Sequence, residues 1–259
     1  MPDMEKLFIQ NRKGQKMAVL VERAENQRGL AFVMHGLSGN KEQSHIATFA
    51  QAFSDKGFTV VRFDTTNTYG ESEGAYEDAT MTNYYEDLED VIAWAKTKEW
   101  YEEPFALAGH SLGGTCTILY AEKFPSHVRA LAPISTVVSG RLSAETDKYK
   151  NIVGEWKRTG WREEESETEP GRFKRLKWSH MEDRLTYDVL PKVGKLAMPV
   201  LLIVGGIDDS TPSKHQQMLF DNLPGPKELH IIEGAPHTFR EPKHLAEIRE
   251  IFLKWIDTI

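Results

Sequence analysis

Residues 105–114 of this chain are Phe-Ala-Leu-Ala-Gly-His-Ser-Leu-Gly-Gly, and they decide the fold. The four apolar residues at the start are typical of a buried strand, and the apolar segment from Thr115 to Phe124 is typical of a helix. The residues between them predict a sharp strand-to-helix turn, because small residues beside Ser111 avoid the clashes of a larger Cβ. Such a turn raises the Ser111 hydroxyl out of the sheet, at the positive end of the helix.

Gly109, Ser111 and Gly113 have the spacing Gly-x-Ser-x-Gly, which is typical of a nucleophile elbow. The pattern has three fixed positions and also arises by chance, so its meaning depends on the elements around it. The single cysteine, Cys116, lies on the same predicted helix, where we expect a buried side chain and not a second nucleophile.

The composition indicates an ordinary soluble globular protein. The chain has 259 residues, 40% of them hydrophobic and 27% charged, and this length fits one α/β domain. Its formal net charge is −7 and no basic stripe is present, which argues against a nucleic-acid partner. The sequence has no signal-peptide pattern at its start and nothing approaching the roughly 18 apolar residues of a membrane span. We therefore expect a cytoplasmic protein.

Strand and helix patterns alternate on both sides of the serine turn. Two β-type runs, 6–10 and 16–22, flank turn-like residues and predict an antiparallel edge hairpin. Further strands are predicted at 30–34, 58–63, 105–108, 128–134, 199–206 and 228–232, and helices at 43–56, 85–95, 115–124, 213–223 and from Pro242 onward. This alternation indicates a mostly parallel sheet of eight strands, the first of them antiparallel.

The helix predicted at 85–95 has an acidic face formed by Glu86, Asp87, Glu89 and Asp90. A charge cluster opposite an apolar stripe is typical of a solvated helix face. We therefore expect these carboxylates to contact solvent and not to hold a metal.

The alternation stops over residues 135–195. This segment has no strong strand pattern, and its length predicts a helical insertion and not an open loop. We therefore divide the chain into an α/β core, 1–134 and 196–259, and a helical cap that acts as a lid, 135–195. Trp156, Trp161 and Trp178 either line an acyl pocket or pack the cap, and the acidic run at 162–169 either binds a substrate amine or is solvated.

Four groups directly follow predicted strands, namely His35-Gly36-Leu37, Ser111, the aspartates at 208 and 209, and His237. In an open parallel sheet, ligands bind outside the carboxyl ends of the strands. The sequence therefore predicts that these residues share one edge of the sheet.

Nucleophilic catalysis gives a chemical reason for this combination. A serine hydroxyl needs a base within hydrogen-bond reach, and His237 can take its proton and return it to the leaving group. A carboxylate must hold the imidazole in one tautomer, and both Asp208 and Asp209 are candidates. The N–H of Leu112, directly after the serine, is positioned by the elbow to stabilise an oxyanion.

The chain order Ser111, aspartate, His237, with His35-Gly36 after an early strand, resembles the α/β-hydrolase fold family over essentially the whole chain. The predicted cap and residues 35–40 are similar to bacterial feruloyl (cinnamoyl) esterases, monoacylglycerol lipases and serine aminopeptidase-like S33 hydrolases. The resemblance implies an eight-stranded, mostly parallel sheet flanked by helices. It also implies a serine carboxylesterase with an acyl-enzyme intermediate, without a cofactor or a metal.

The resemblance also assigns individual residues. Family members have an aspartate three residues after a strand-end glycine and four before a proline, which favours Asp208 over Asp209. It further implies that the N–H of Leu37 is the second oxyanion donor and that His35 fixes its own loop. Related hydrolases often carry a Gly-His-Gly sequence where this chain has Thr68-Tyr69-Gly70, so family patterns do not define the substrate.

The expected partner is a small-molecule ester with a short acyl chain or a feruloyl (cinnamoyl) group. A serine aminopeptidase or amidase, or a monoacylglycerol lipase, with the same triad is an alternative. A non-catalytic binding protein with this fold is an alternative of another class. The sequence leaves the oligomeric state open, a homodimer included.

Overall fold

The computed structural model describes residues 3–165, 171 and 173–259. Its strands are β1 (Asp3–Gln10), β2 (Lys16–Arg23), β3 (Gly29–Met34), β4 (Phe58–Phe63), β5 (Phe105–His110), β6 (Val128–Ile134), β7 (Trp161–Glu165), β8 (Phe173–Lys177), β9 (Val200–Gly205) and β10 (Lys227–Ile232). Its α-helices are α1 (Ser44–Asp55), α2 (Met81–Ala95), α3 (Leu112–Lys123), α4 (Gly140–Ala144), α5 (Val153–Thr159), α6 (Ser179–Arg184), α7 (Ser213–Asn222) and α8 (Pro242–Ile256). None of these helices is long and apolar enough to cross a bilayer.

Eight of the strands form one twisted sheet in the order β1-β2-β4-β3-β5-β6-β9-β10. The run from β4 to β10 is parallel throughout, which confirms the mostly parallel eight-stranded sheet. We expected β1 to be the antiparallel strand. Instead, β2 is the strand that runs antiparallel to both of its neighbours, β1 and β4. The tight turn after β1 reverses the chain, and it is the second strand of this hairpin that pairs with the rest of the sheet.

The central strands are buried on both faces, and two apolar layers enclose them. One layer lies under α1 and α8, where Phe49 stacks on Phe252 with ring centroids 5.0 Å apart. The other lies under α2 and α3. Because both faces are covered, the loops at the carboxyl ends of the strands form the accessible edge of the sheet.

The acidic face of α2 is only partly solvated. Asp87 is fully buried, and it accepts hydrogen bonds from Asn11 Nδ2 at 3.0 Å and from the N–H and hydroxyl of Thr66 at 2.7 and 2.8 Å. Burial raises the pKa of this carboxyl to about 6. The expectation of a solvated face was therefore wrong for Asp87, because donors from distant parts of the chain surround it.

The segment between β6 and β9 contains both helices and strands. Its helices are α4, α5 and α6, and β7 pairs with β8 as an antiparallel hairpin. The expectation of helices alone was therefore wrong. The sequence pattern did not predict this hairpin, because its strands are rich in charged residues and lack an apolar alternation. An ion pair between Glu163 and Arg175, at 2.8 Å, joins the two strands. Residues 166–169 of the acidic run lie outside the described residues.

Candidate active site

Ser111 lies between β5 and α3 in a constrained backbone conformation. Its φ is 54° and its ψ is −117°, a region that residues other than glycine rarely adopt. Its N–H donates to the carbonyl of Ile134 at 2.9 Å, which ties the turn to β6. Conformations of this kind persist only where the surrounding structure fixes them, and they cluster at functional sites.

Glycines allow the serine turn to pack directly against the loop that follows β3. A Cβ on Gly113 would lie 2.3 Å from the carbonyl oxygen of His35. A Cβ on Gly36 would lie 3.0 Å from the Cβ of Ser111. The two backbones therefore approach more closely than any residue with a side chain would allow.

Replacing Gly113 with alanine should destabilise the protein by about 1–3 kcal/mol, the usual cost of overpacking a tight site. Turnover should fall as well, because the loop carrying Leu37 must move away. The matched control is Gly154→Ala. Chemical denaturation of Gly113→Ala and Gly154→Ala measures the free energy of unfolding of each variant. Gly154 lies within α5, and apart from its chain neighbours and the backbone of its own helix, no atom of the described residues is within 4 Å of the position that a Cβ would take there. Alanine at 154 should therefore leave stability unchanged or raise it. Equal stability of the two variants would contradict this account of the contact.

The structure brings Ser111, His237 and Asp208 together. Nε2 of His237 lies 2.9 Å from the Ser111 hydroxyl, and Nδ1 of His237 lies 2.8 Å from Oδ2 of Asp208. The Asp208 side chain is fully buried, whereas His237 remains partly accessible. This geometry gives one imidazole a hydroxyl on one side and a carboxylate on the other.

Four donors surround Asp208. Oδ1 accepts from the backbone N–H groups of Ser210 and Thr211 at 2.9 and 2.8 Å, and the Thr211 hydroxyl lies 2.8 Å from Oδ2. Burial alone would raise the pKa of Asp208, but the contacts with His237 and Thr211 hold this pKa well below its usual range. Asp209 is exposed, and among the described residues its side chain bonds only to the adjacent Ser210 hydroxyl, so of the two aspartates Asp208 is the one beside His237.

Two backbone N–H groups lie beside Ser111 without an acceptor among the described residues. They belong to Leu112, the first residue of α3, and to Leu37, and both residues line a cavity that contains Ser111. The first N–H groups of a helix have no partner within the helix. The two sequence-predicted oxyanion donors are therefore available to a bound oxygen atom.

Two other histidines hold the loops of the site. His35 is buried, with Nδ1 2.7 Å from the carbonyl of Gly36, and its Nε2 accepts from the N–H of Thr65 at 3.1 Å. His110 Nε2 donates to the carbonyl of His237 at 2.9 Å, and burial lowers the pKa of His110 to about 3, so it stays neutral. Sequence reasoning placed His35 in this loop role but missed the contact of His110 with the His237 backbone.

Ser111 and His237 open onto two cavities. The first, of about 140 Å³, extends toward the segment between β6 and β9, and we call it the cap-side cavity; its walls include Tyr76, Lys148, Tyr149, Arg162, Lys174 and Arg184. The second, of about 300 Å³, is the loop-side cavity; its walls include Asn40, Gln43, His45, Tyr69 and Thr238. Among the described lining residues there is no tryptophan, which favours the second of the two alternatives for the cap tryptophans, packing within the cap. Trp156 packs inside the inserted segment, where its indole N–H donates a hydrogen bond to the Leu176 carbonyl at 3.1 Å.

The remaining sequence candidates lie away from this chemistry. Cys116 is fully buried, and burial raises the pKa of its thiol, which makes it a poor nucleophile. Within the described part of the chain, no group of three or more His, Cys, Asp or Glu side chains is arranged to hold a metal ion.

This chain is similar in sequence to one protein family and in fold to several solved structures. The family model described as serine aminopeptidase, S33, matches residues 25–170. Monoglyceride lipase of Rattus norvegicus is 26% identical, with 89% of this chain and 82% of that protein covered. Mitochondrial palmitoyl-protein thioesterase ABHD10 of Mus musculus is 25% identical, with 71% of this chain and 61% of that protein covered. The structure of Est1E from Butyrivibrio proteoclasticus with ferulic acid bound has a TM-score of 0.78 at 22% identity, covering 97% of this chain and 98% of that chain, and this likeness shows the α/β-hydrolase fold.

Proposed function

The chain belongs to the serine aminopeptidase S33 family, and we propose that it is a serine carboxylesterase with Ser111 as nucleophile, His237 as general base and Asp208 as orienting carboxylate. The observation that carries this proposal is the continuous series of contacts from the Ser111 hydroxyl through His237 to Asp208, at 2.9 and 2.8 Å. These distances are within hydrogen-bond reach before any substrate binds.

In the proposed reaction, His237 Nε2 takes the hydroxyl proton while Ser111 Oγ attacks the ester carbonyl carbon. The oxygen that becomes negative is stabilised by the N–H groups of Leu37 and Leu112, each such donor contributing about 3–4 kcal/mol. His237 then protonates the departing alcohol, and the acyl group stays on Ser111. Water, deprotonated by His237, attacks this acyl-enzyme and releases the acid.

The charge around Ser111 supports ester hydrolysis over aminopeptidase activity. An aminopeptidase binds the α-ammonium group of its substrate and needs negative charge for it. Among the described residues, the lining of the cap-side cavity includes five basic side chains and two acidic ones, Glu164 and Glu165. Glu164 is paired with Arg162, and Glu165 accepts from the Gly171 N–H at 2.8 Å, so both of these carboxylates already have partners within the inserted segment.

The size and polarity of the cap-side cavity support a short substrate group. A volume of about 140 Å³ is close to that of a cavity that admits a benzene-sized molecule. The relatives include enzymes named for monoglycerides and palmitoyl-protein, but long acyl chains need a longer apolar channel. We propose a short acyl or compact aromatic group for this chain.

We also propose that residues 135–195 form a lid over the α/β core. Tyr149, Arg162 and Arg184 of this segment line the same cavity as Ser111. Its attachment to the core includes a bond from the N–H of Thr82 to Asp183 at 2.9 Å. The segment thereby contributes to substrate selection while the core carries the chemistry.

A matched substrate pair tests ester hydrolysis against aminopeptidase activity. Methyl 4-methylpentanoate and leucine methyl ester have the same skeleton, and only the second carries an ammonium group at pH 7. We expect kcat/KM for the neutral ester to exceed that for the amino ester by about tenfold, because the basic cavity repels the ammonium group. A preference for leucine methyl ester, together with turnover of leucine p-nitroanilide, would assign the protein to the peptidases. Absence of turnover for every ester by the folded protein would favour the non-catalytic alternative.

A further inference from the structure

Three polar side chains form a buried group at the inner wall of the cap-side cavity. Arg184 is 3% exposed and Tyr149 is 6% exposed, and the Arg162 side chain is 9% exposed. The guanidinium carbons of Arg162 and Arg184 lie 5.2 and 5.0 Å from the Tyr149 ring centroid. Two positive charges therefore converge on one phenol, and all three side chains line the same cavity as Ser111.

The charge of this group is only half compensated. Arg162 forms an ion pair with Glu164. Arg184 donates to the Ser143 hydroxyl, but among the described residues it has no carboxylate partner, and its Nε–H is buried without any acceptor. A buried charge without a carboxylate partner is unfavourable, and an anionic ligand in the cavity would offset that cost.

We propose that this group, Arg184 with Tyr149 and Arg162, is a subsite for a carboxylate carried by the substrate. This inference rests on the proposed function, because it names the class of ester that the Ser111 site takes. The substrate would be a short ester with a free carboxylate at its far end, such as a monoester of a short dicarboxylic acid. A guanidinium group binds a carboxylate through two parallel N–H bonds, and Arg184 lines the cavity without a carboxylate partner among the described residues.

The net charge of the group selects among anions. With Arg162 paired to Glu164, one positive charge remains, which matches a carboxylate monoanion better than a phosphate dianion. The electrostatic field of the group is visible in Tyr149. Burial raises the pKa of this phenol, but the charges of Arg184 and Arg162 outweigh burial and lower it to about 8.

The first experiment compares esters that differ only in the terminal group. Monomethyl succinate, glutarate and adipate are paired with methyl butyrate, pentanoate and hexanoate, because the chain length that reaches Arg184 must be found by measurement. We expect kcat/KM for the acid to exceed that for its neutral partner at least tenfold at one chain length. Acetate esters of short hydroxy acids, paired with simple alkyl acetates, show whether the carboxylate belongs to the acyl side or to the alcohol side.

The variants assign the preference to the proposed group. Arg184→Met should reduce the ratio of acid to neutral kcat/KM to about one, whereas Arg158→Met, on the exposed side of α5, should leave it unchanged. If Arg184→Met does not fold, Arg162→Gln, on the β7–β8 hairpin, should reduce the same ratio. An unchanged ratio in folded Arg184→Met, or an equal rate for acid and neutral esters in the wild type, would overturn the subsite.

A binding measurement separates this inference from the proposed function. Adipate should raise the melting temperature of Ser111→Ala, and methyl hexanoate, which carries no carboxylate, should not, because binding at the subsite does not need the nucleophile. Inorganic phosphate as a third probe tests the preference for a monoanion. Ester turnover without any acid preference or adipate binding would reject the subsite and keep the esterase. Adipate binding without turnover of any ester would reject the esterase and keep the anion site.

Discussion

Ser111→Ala is expected to lower kcat for ester hydrolysis by about 10⁵-fold or more while the protein stays folded. Ser111 is the only hydroxyl of the described residues within reach of His237 Nε2, at 2.9 Å, so no neighbouring group replaces it. The backbone of the turn is held by the bond from Ser111 N to Ile134 and does not depend on the hydroxyl. Initial rates with a short-chain p-nitrophenyl ester, alongside a melting curve, provide the measurement.

Two controls make the Ser111 result specific. Ser54→Ala, on α1 and outside both cavities, should retain the wild-type rate. A fluorophosphonate probe should label the wild-type protein once, at Ser111, and should not label Ser111→Ala. Wild-type turnover by the alanine variant would show that the hydrolysis, if any, does not use this serine.

The strand and loop order made the edge of the sheet predictable from the sequence. Continuous apolar runs such as Val200–Gly205 have a strong local pattern, and the ends of such strands place Ser111, Asp208 and His237 on the same edge. The choice between Asp208 and Asp209 was more difficult, because adjacent residues have the same local context. An unused signal was that Thr211, three residues after Asp208, has an N–H to donate to that carboxylate, whereas Pro212, three residues after Asp209, has none.

The buried carboxylate of α2 shows why local periodicity was insufficient. Asp87 belongs to the same acidic cluster as Glu86, Glu89 and Asp90, which remain partly exposed, and no short-range pattern separates it from them. Its donors include Asn11, which is 76 residues away in sequence. A long-range polar contact of this kind buries a residue that helix periodicity assigns to the exposed face. The sequence of the helix alone therefore does not predict it.

The sequence did not predict the group formed by Arg184, Tyr149 and Arg162, for a related reason. Arg162 lies in a charged hairpin without apolar alternation, and Arg184 lies at the end of a helix of six residues. Both contact Tyr149 through the tertiary structure of the inserted segment, and no short-range sequence pattern predicts these contacts. Charge runs are usually solvated, so sequence patterns favoured that interpretation.

Asp208→Asn is expected to lower kcat by about 10⁴-fold with little change in the overall fold. The amide keeps the shape of the carboxylate, and its oxygen would remain on the N–H groups of Ser210 and Thr211, which need an acceptor. Its NH₂ group would then face Nδ1 of His237, where Asp208 Oδ2 now lies at 2.8 Å.

That reversal forces the wrong tautomer on the histidine. Nδ1 of His237 would accept a hydrogen bond from the new amide, so the ring proton would move to Nε2, the nitrogen that faces the Ser111 hydroxyl. A protonated Nε2 cannot take the serine proton, and the positive imidazolium of the transition state would also lose its carboxylate. Asp209→Asn changes the adjacent, exposed residue and should leave kcat within a few-fold of wild type. Measured side by side, equal losses in the two variants would contradict the assignment of Asp208, whereas loss in Asp208→Asn alone would separate the buried carboxylate from its exposed neighbour by function as well as by position.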